Sequence, residues 1–231
     1  MSSIEDIKKT VGYRAADMVE NGNIVGLGTG STAYFAIKRL GQRVKKENLK
    51  IHGIPTSISS EKLALKENIP LADLSEYKVV DITIDGADEV DPMKNLIKGL
   101  GGALLREKIV ASSTLKEIII VDETKLVRTL GEKAPLPVEV IKFGWKRTAE
   151  RIADIGLQPI IRMKNDGPFI TDEGNYILDC HLNEESLAPL EISSKLGNIV
   201  GVIENGFFGG MTDTVIVGKS DGKIEMMESQ L

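Results

Sequence analysis

The chain has 231 residues, 42% of them hydrophobic and 27% charged, with a net charge of −5 at neutral pH and a pI near 5.3. That is the make-up of an ordinary globular protein with one large or two small domains, and its acidic balance argues against nucleic acid as a partner. A single cysteine, Cys180, excludes an internal disulfide, and no signal-peptide core or run of roughly 20 apolar residues is present, so a cytoplasmic protein with no membrane partner is expected.

The first 130 residues alternate helix and strand. Ile4, Ile7, Val11, Ala15, Met18 and Val19 recur at helical spacing, which predicts a helix over Ile4–Glu20 stopped by Gly22. Ile24–Leu27 reads as a short buried strand, and 31–44 as a helix with Ser31 or Thr32 as its cap. A strand over Leu49–Ile54 leads to a helix capped by Ser57 or Ser59 and running to about Glu67. Strands over Val79–Ile84 and Glu117–Val121 flank a helix over Ala103–Ser112. This order predicts an α/β fold with a doubly wound, mostly parallel, Rossmann-like sheet.

Two prolines and a glycine within Gly131-Glu-Lys-Ala-Pro-Leu-Pro137 mark a change of domain. Beyond it come a strand (138–141), a helix (145–155), a strand (158–163), a turn at Asp166-Gly-Pro, a strand (176–179), a helix (Glu184–Leu196) and a strand (198–203). That order predicts a smaller α+β, ferredoxin-like domain. A strand over Thr214–Val217 returns to the first domain. The expected domains are 1–130 plus 206–231, and 131–205.

Four segments carry the chemistry. Gly26-Leu-Gly-Thr-Gly-Ser-Thr32 joins a strand to a helix: glycines let the backbone approach a ligand, the helix start offers amides to an anion, and Thr29, Ser31 and Thr32 add hydroxyls. Ser31 stands where a dinucleotide fingerprint needs glycine or alanine. Asp85-Gly-Ala-Asp-Glu89 follows a strand that already carries Asp81, and Asp91 comes close behind. Such crowding raises carboxylate pKa values unless a cation such as Lys98 lies near. Lys98-Gly-Leu-Gly-Gly102, with Gly99 and Gly101, forms a second ligand-accessible loop, followed by Arg106-Glu107-Lys108 in the first turns of a helix. Asp122-Glu-Thr-Lys125 closes another strand. In an open parallel sheet such turns gather outside the carboxyl ends of the strands, which points to an enzyme for a small anionic substrate. Each segment also has a plain structural reading: a tight turn, self-capping aspartates, a helix-stabilising Glu107 paired with Arg106 or Lys108, a solvated Lys125. His52 and His181 lack metal-site spacing, so no metal or cofactor is expected.

Taken together, Gly-x-Gly-Thr-Gly-Ser-Thr, Asp-Gly-Ala-Asp-Glu, Lys-Gly-x-Gly-Gly with Arg-Glu-Lys-Ile-Val, and Pro-Leu-Pro-Val-Glu-Val resemble the type A ribose-5-phosphate isomerases, in that family's order and spacing. The resemblance extends to Gly174-Asn-Tyr-Ile-Leu-Asp179, and Ile54-Pro-Thr-Ser57 resembles the archaeal branch. It implies a pentose 5-phosphate substrate and a homodimer or homotetramer. It implies Glu107 as general base, Asp85 and Asp88 as paired active-site aspartates, and Lys98 as active-site lysine. It places Thr29, Gly30, Ser31 and Thr32 near the substrate phosphate, with Lys8 and Lys125 as further substrate-site lysines. Leu100 departs from the family's glycine loop, where many members have glycine. Aldose–ketose interconversion without metal ligands favours an enediolate route with a carboxylate base. Two other readings compete: a CoA transferase, through Glu204-Asn-Gly-Phe-Phe-Gly209, and a sugar-phosphate sensor.

Overall fold

The computed structural model describes residues 3–182 and 188–228. In chain order its elements begin with α1 (Ile4–Ala16), β1 (Ile24–Leu27), α2 (Ala33–Glu47), β2 (His52–Pro55), α3 (Ile58–Lys66) and β3 (Ile82–Asp85). The two-residue strands β4 (Glu89–Val90) and β5 (Leu96–Ile97) follow, then α4 (Leu104–Ser112) and β6 (Glu117–Asp122). Next come β7 (Leu136–Val140), α5 (Trp145–Asp154), β8 (Gln158–Ile161), β9 (Met163–Lys164), β10 (Gly167–Pro168) and β11 (Tyr176–His181). The chain ends with α6 (Pro189–Gly197), β12 (Val202–Asn205), β13 (Phe207–Phe208), β14 (Thr214–Gly218) and β15 (Ile224–Glu228). Among the described residues no helix is long and apolar enough to cross a membrane.

The chain forms two compact units: Met1–Ala87 with Arg106–Leu126 and Gly210–Leu231, and Asp88–Leu105 with Val127–Gly209. Residues 88–105, 127–130 and 206–209, which the sequence assigned to the first domain, lie in the second unit. The cause is local pairing: β5 pairs antiparallel with β4 on one side and with β13 on the other.

The first unit holds a six-stranded sheet in the order β15-β14-β6-β3-β1-β2, parallel except for β15. Strand order reverses between β1 and β3, so the turns after these two strands open at a topological switch point, where ligands of such sheets bind. One face packs on α1, α2 and α3 through Val11, Leu40, Leu27 and Ile120. A smaller cluster of Ile24, Ile54, Val80 and Val110 lies on the other. The apolar period of α1 continues through Val19, yet the helix ends at Ala16. The Ala16 carbonyl at its end accepts from Arg43 Nη1 at 2.6 Å, and the same nitrogen donates to the Val19 carbonyl beyond the helix at 2.7 Å.

The second unit holds an antiparallel sheet in the order β12-β7-β11-β8. With α5 after β7 and α6 after β11, this is the expected ferredoxin-like arrangement. Its core includes Val138, Val140, Ile152, Leu178 and Leu196. The predicted helix Glu184–Leu196 appears as α6 with Pro189 in its first turn; residues 184–187 fall outside the described residues. The strand predicted from 198 starts at Val202, because Gly201 takes a φ of +101° in a turn.

Candidate functional site

The loop after β1 is shaped by what lies beside it. A Cβ on Gly26 would overlap the Thr83 side chain, and one on Gly28 would overlap the Asp85 carboxylate. Gly30 takes a φ of +105°. The Gly28 amide donates to the Ile84 carbonyl at 3.0 Å, which carries the β1–β3 pairing into the loop. Asp85, the last residue of β3, is buried. Its Oδ1 accepts from the Thr29 amide at 3.0 Å and from the Gly86 amide at 2.7 Å. Glycine at 28 and aspartate at 85 are thus one device, in which the first makes room for the second.

Farther along the loop, Lys8 Nζ from α1 donates to Ser31 Oγ at 2.9 Å. Thr32 is the N-cap of α2, but its side chain makes no capping bond. A cavity of about 720 Å³ opens here, with Lys8, Gly28, Thr29, Gly30 and Ser31 among its lining residues. Glu107 is buried in the first turn of α4, whereas its neighbours Arg106 and Lys108 are half-buried. Lys125 is half-buried in a short 3-10 turn begun by Asp122, whose Oδ1 accepts from the Thr124 amide at 3.0 Å.

The second unit holds the other expected residues: Asp88, Lys98, Gly99 and Gly101. Asp88 Oδ2 accepts from the Leu100 amide at 2.9 Å, which fastens the second aspartate to the glycine loop. Gly99 and Gly102 take φ values of +103° and +84°, and a Cβ on Gly102 would overlap the Phe169 ring. Lys98 is buried; its amide donates to the Gly206 carbonyl at 2.9 Å, and its Nζ lies 5.5 Å from the Phe208 ring centroid.

Arg162, between β8 and β9, braces this loop, and the sequence did not single it out. Its Nη1 donates to the carbonyls of Gly99 at 2.8 Å and Leu100 at 3.0 Å, while its guanidinium pairs with Asp179. No spacing rule links position 162 to position 99, so the pairing was invisible before folding.

The carboxylates crowded in sequence between 81 and 91 are separated by function in space. Asp81 Oδ2 accepts from the Ile24 amide at 2.7 Å, ahead of β1 and β3. Glu89 is buried and accepts from the amides of Gly131 (2.5 Å), Lys133 (2.5 Å) and Ala134 (2.7 Å). Asp91 accepts from the Asn95 amide at 2.8 Å and its side chain at 2.9 Å. These three acids hold turns. Cys180 is buried, and burial with the nearby Asp179 pushes its thiol up to about 12, which leaves it protonated and inert. Glu204, in β12, accepts from the Asn205 amide at 2.8 Å. Among the described residues no group of three or more His, Cys, Asp or Glu side chains is placed to hold a metal ion.

Residues 52–222 match the family model of ribose 5-phosphate isomerase A (phosphoriboisomerase A). The chain is 55% identical over 218 residues to ribose-5-phosphate isomerase A of Gluconobacter oxydans, covering 93% of this chain and 94% of that protein. Among solved structures, ribose 5-phosphate isomerase A of Methanocaldococcus jannaschii superimposes with a TM-score of 0.92 at 42% identity, covering 98% of this chain and all of that one. A D-ribose-5-phosphate isomerase in complex with phospho-erythronic acid superimposes with a TM-score of 0.93 at 41% identity, over 99% of this chain and all of that one. The family model covers more than half of the chain and the relatives match it over nearly its whole length: the chain belongs to the ribose 5-phosphate isomerase A family.

Proposed function

We propose that this protein interconverts D-ribose 5-phosphate and D-ribulose 5-phosphate through an enediolate, without a metal ion. The observation that carries the reading is the Asp85 carboxylate, fixed by two backbone amides at the switch point of the sheet and directly beside a glycine- and hydroxyl-rich loop. A buried, oriented acid next to an anion-binding helix start suits a sugar phosphate.

In this reading Gly30, Ser31 and Thr32, with Lys8, hold the phosphate, and Lys125 adds a further positive charge. Binding energy from the phosphate positions the open-chain sugar. Glu107 takes the proton from carbon 2, the electron pair moves into the carbon–carbon double bond of the enediolate, and Glu107 returns the proton to carbon 1. Asp85 and Asp88 open the ring and move the second proton between the two oxygens. Lys98, with the amides of Gly99 and Gly101, stabilises the oxyanion as it develops. Arg162 keeps that loop in shape through the carbonyls of Gly99 and Leu100.

The resemblance carries with it a cytoplasmic setting and a homodimer or homotetramer, which sedimentation equilibrium will distinguish from a monomer. An archaeal affinity within the family rests on Ile54-Pro-Thr-Ser57 alone; the bacterial relative shares more identical residues with the chain than the archaeal structure does.

The test is an assay with ribose 5-phosphate in EDTA, with Glu107→Gln in parallel. Turnover by the wild type and a loss on the order of 10³-fold in the variant are expected. Equal activity in both would remove Glu107 from the role of base, and an inactive wild type would sink the isomerase reading.

A further inference from the structure

A chain of hydroxyl groups runs behind the Gly28–Thr32 loop, and the catalytic scheme above leaves it without a role. Thr29 Oγ1 donates to Ser57 Oγ at 2.8 Å and lies 2.8 Å from Thr56 Oγ1. The Thr56 amide donates to the Leu27 carbonyl at 3.0 Å, so the one hydroxyl hydrogen of Thr56, whose Oγ1 also lies 3.1 Å from that carbonyl, goes to Thr29 Oγ1. Ser57 Oγ accepts from the Ser60 amide at 3.1 Å and so begins α3. Thr56, Ser57 and Ser60 are all buried, Thr56 completely. Burying a hydroxyl costs free energy unless it is bonded, and a valine fills the same volume at a strand end without that cost.

The donors of Thr29 can be counted. Its amide has one hydrogen, which goes to Asp85 Oδ1, and its hydroxyl has one, which goes to Ser57. Neither remains for a phosphate oxygen. Ser31 and Thr32 differ: Ser31 Oγ only accepts in its bond from Lys8, and the Thr32 side chain makes no cap bond.

We propose that Thr29, Thr56 and Ser57 are positioning residues for the isomerisation. The hydroxyl chain pins Thr29, Thr29 pins the Asp85 carboxylate, and phosphate contact falls to Gly30, Ser31, Thr32 and Lys8. The proposal rests on the isomerase reading. It moves Thr29 from the substrate-binding set to the support of Asp85, and it ties the β2–α3 turn to the chemical step.

Thr29→Val and Thr56→Val keep the volume and remove the hydroxyl; Thr29→Ser and Thr56→Ser keep the hydroxyl. In the two valine variants kcat falls about 10-fold, while KM for ribose 5-phosphate and the Kd of inorganic phosphate by calorimetry stay within about 2-fold of wild type. The serine variants recover kcat to within about 2-fold. Ser31→Ala does the reverse, raising KM and the phosphate Kd. Weakened phosphate binding in Thr29→Val to the level of Ser31→Ala would overturn the proposal, because Thr29 would then be a direct ligand. Equal loss of kcat in Thr56→Ser and Thr56→Val would also overturn it, because packing and not the hydroxyl would matter. Calorimetry needs no turnover, so an inactive wild type, which defeats the isomerase reading, still lets the phosphate comparison decide the place of Thr29.

Discussion

Gly28 and Glu89 show how much rests on single residues that make no contact with substrate in the proposed scheme. A methyl group at position 28 would meet the Asp85 carboxylate and the Ile84 carbonyl, both held by β3. Gly28→Ala therefore displaces the acid and also strains the β1–β3 pairing at the Ile84 carbonyl. We expect kcat to drop about 100-fold and Tm to fall by about 2–8 °C in a thermal melt. Glu89 sits one residue beyond Asp88 and looks equally catalytic in sequence, yet its oxygens serve the amides of 131, 133 and 134. Glu89→Ala leaves these amides without their acceptor and lowers the unfolding free energy by about 2–3 kcal/mol, read as a lower urea midpoint at unchanged m. If kcat fell in a variant of undiminished stability, Glu89 would belong to the chemistry after all.

At the scale of elements, β7 contains an acid that a strand core normally excludes. Glu139 is buried, and burial raises its pKa above the ordinary carboxylate range, against the bonds from Asn175 Nδ2 and Thr171 Oγ1, both 2.9 Å from Oε1. Glu173 and Asp172 push it the same way as burial. A raised folded pKa means that the native state binds the proton more tightly than the unfolded chain does. The stability from this group is complete below the unfolded value and is lost as pH rises through the folded one. Glu139→Gln keeps an acceptor for both donors and cannot ionise. It is expected to raise Tm by about 1–3 °C at pH 8 and to match wild type near pH 4, in a thermal-melt series across that range. A constant offset at every pH would show that packing, and not ionisation, sets the difference.

Arg43 makes the same point about helix ends. The helical period of the amino-terminal segment runs on to Val19, but the helix stops where a guanidinium from α2 takes the carbonyls of Ala16 and Val19. The sequence shows periodicity and stop residues; it does not show a capping donor 24 or 27 residues away.

For the whole molecule, the discontinuity of the units is decisive. The last residues supply β14, all five of which are buried and pair in parallel with β6. By contrast β15 is an edge strand with mostly exposed residues. A chain ending after residue 222 is expected to fold with a lowered Tm, while one ending after residue 209 loses an inner strand of the six-stranded sheet and fails to give a cooperative melt. Folding of the shorter chain with a sharp transition would contradict this division of roles.

The sequence by itself determined what local chemistry dictates. Helical and strand periods marked nearly every long element, because burial of one face is written in residue spacing. The Gly-x-Gly-Thr-Gly-Ser-Thr and Asp-Gly-Ala-Asp segments marked the loops, because glycine and hydroxyl clusters have few other uses. Two-residue strands such as β4, β5 and β13 are too short for any period to reveal, so the membership of 88–105 in the second unit emerged only from pairing. The tertiary structure alone decided which acids serve turns and which face the loop, that Arg162 braces the glycine loop, and that the donors of Thr29 are already spent on Asp85 and Ser57. These are contacts between residues 28 to 63 positions apart. Their geometry depends on strand order and register, which no local pattern of residues contains.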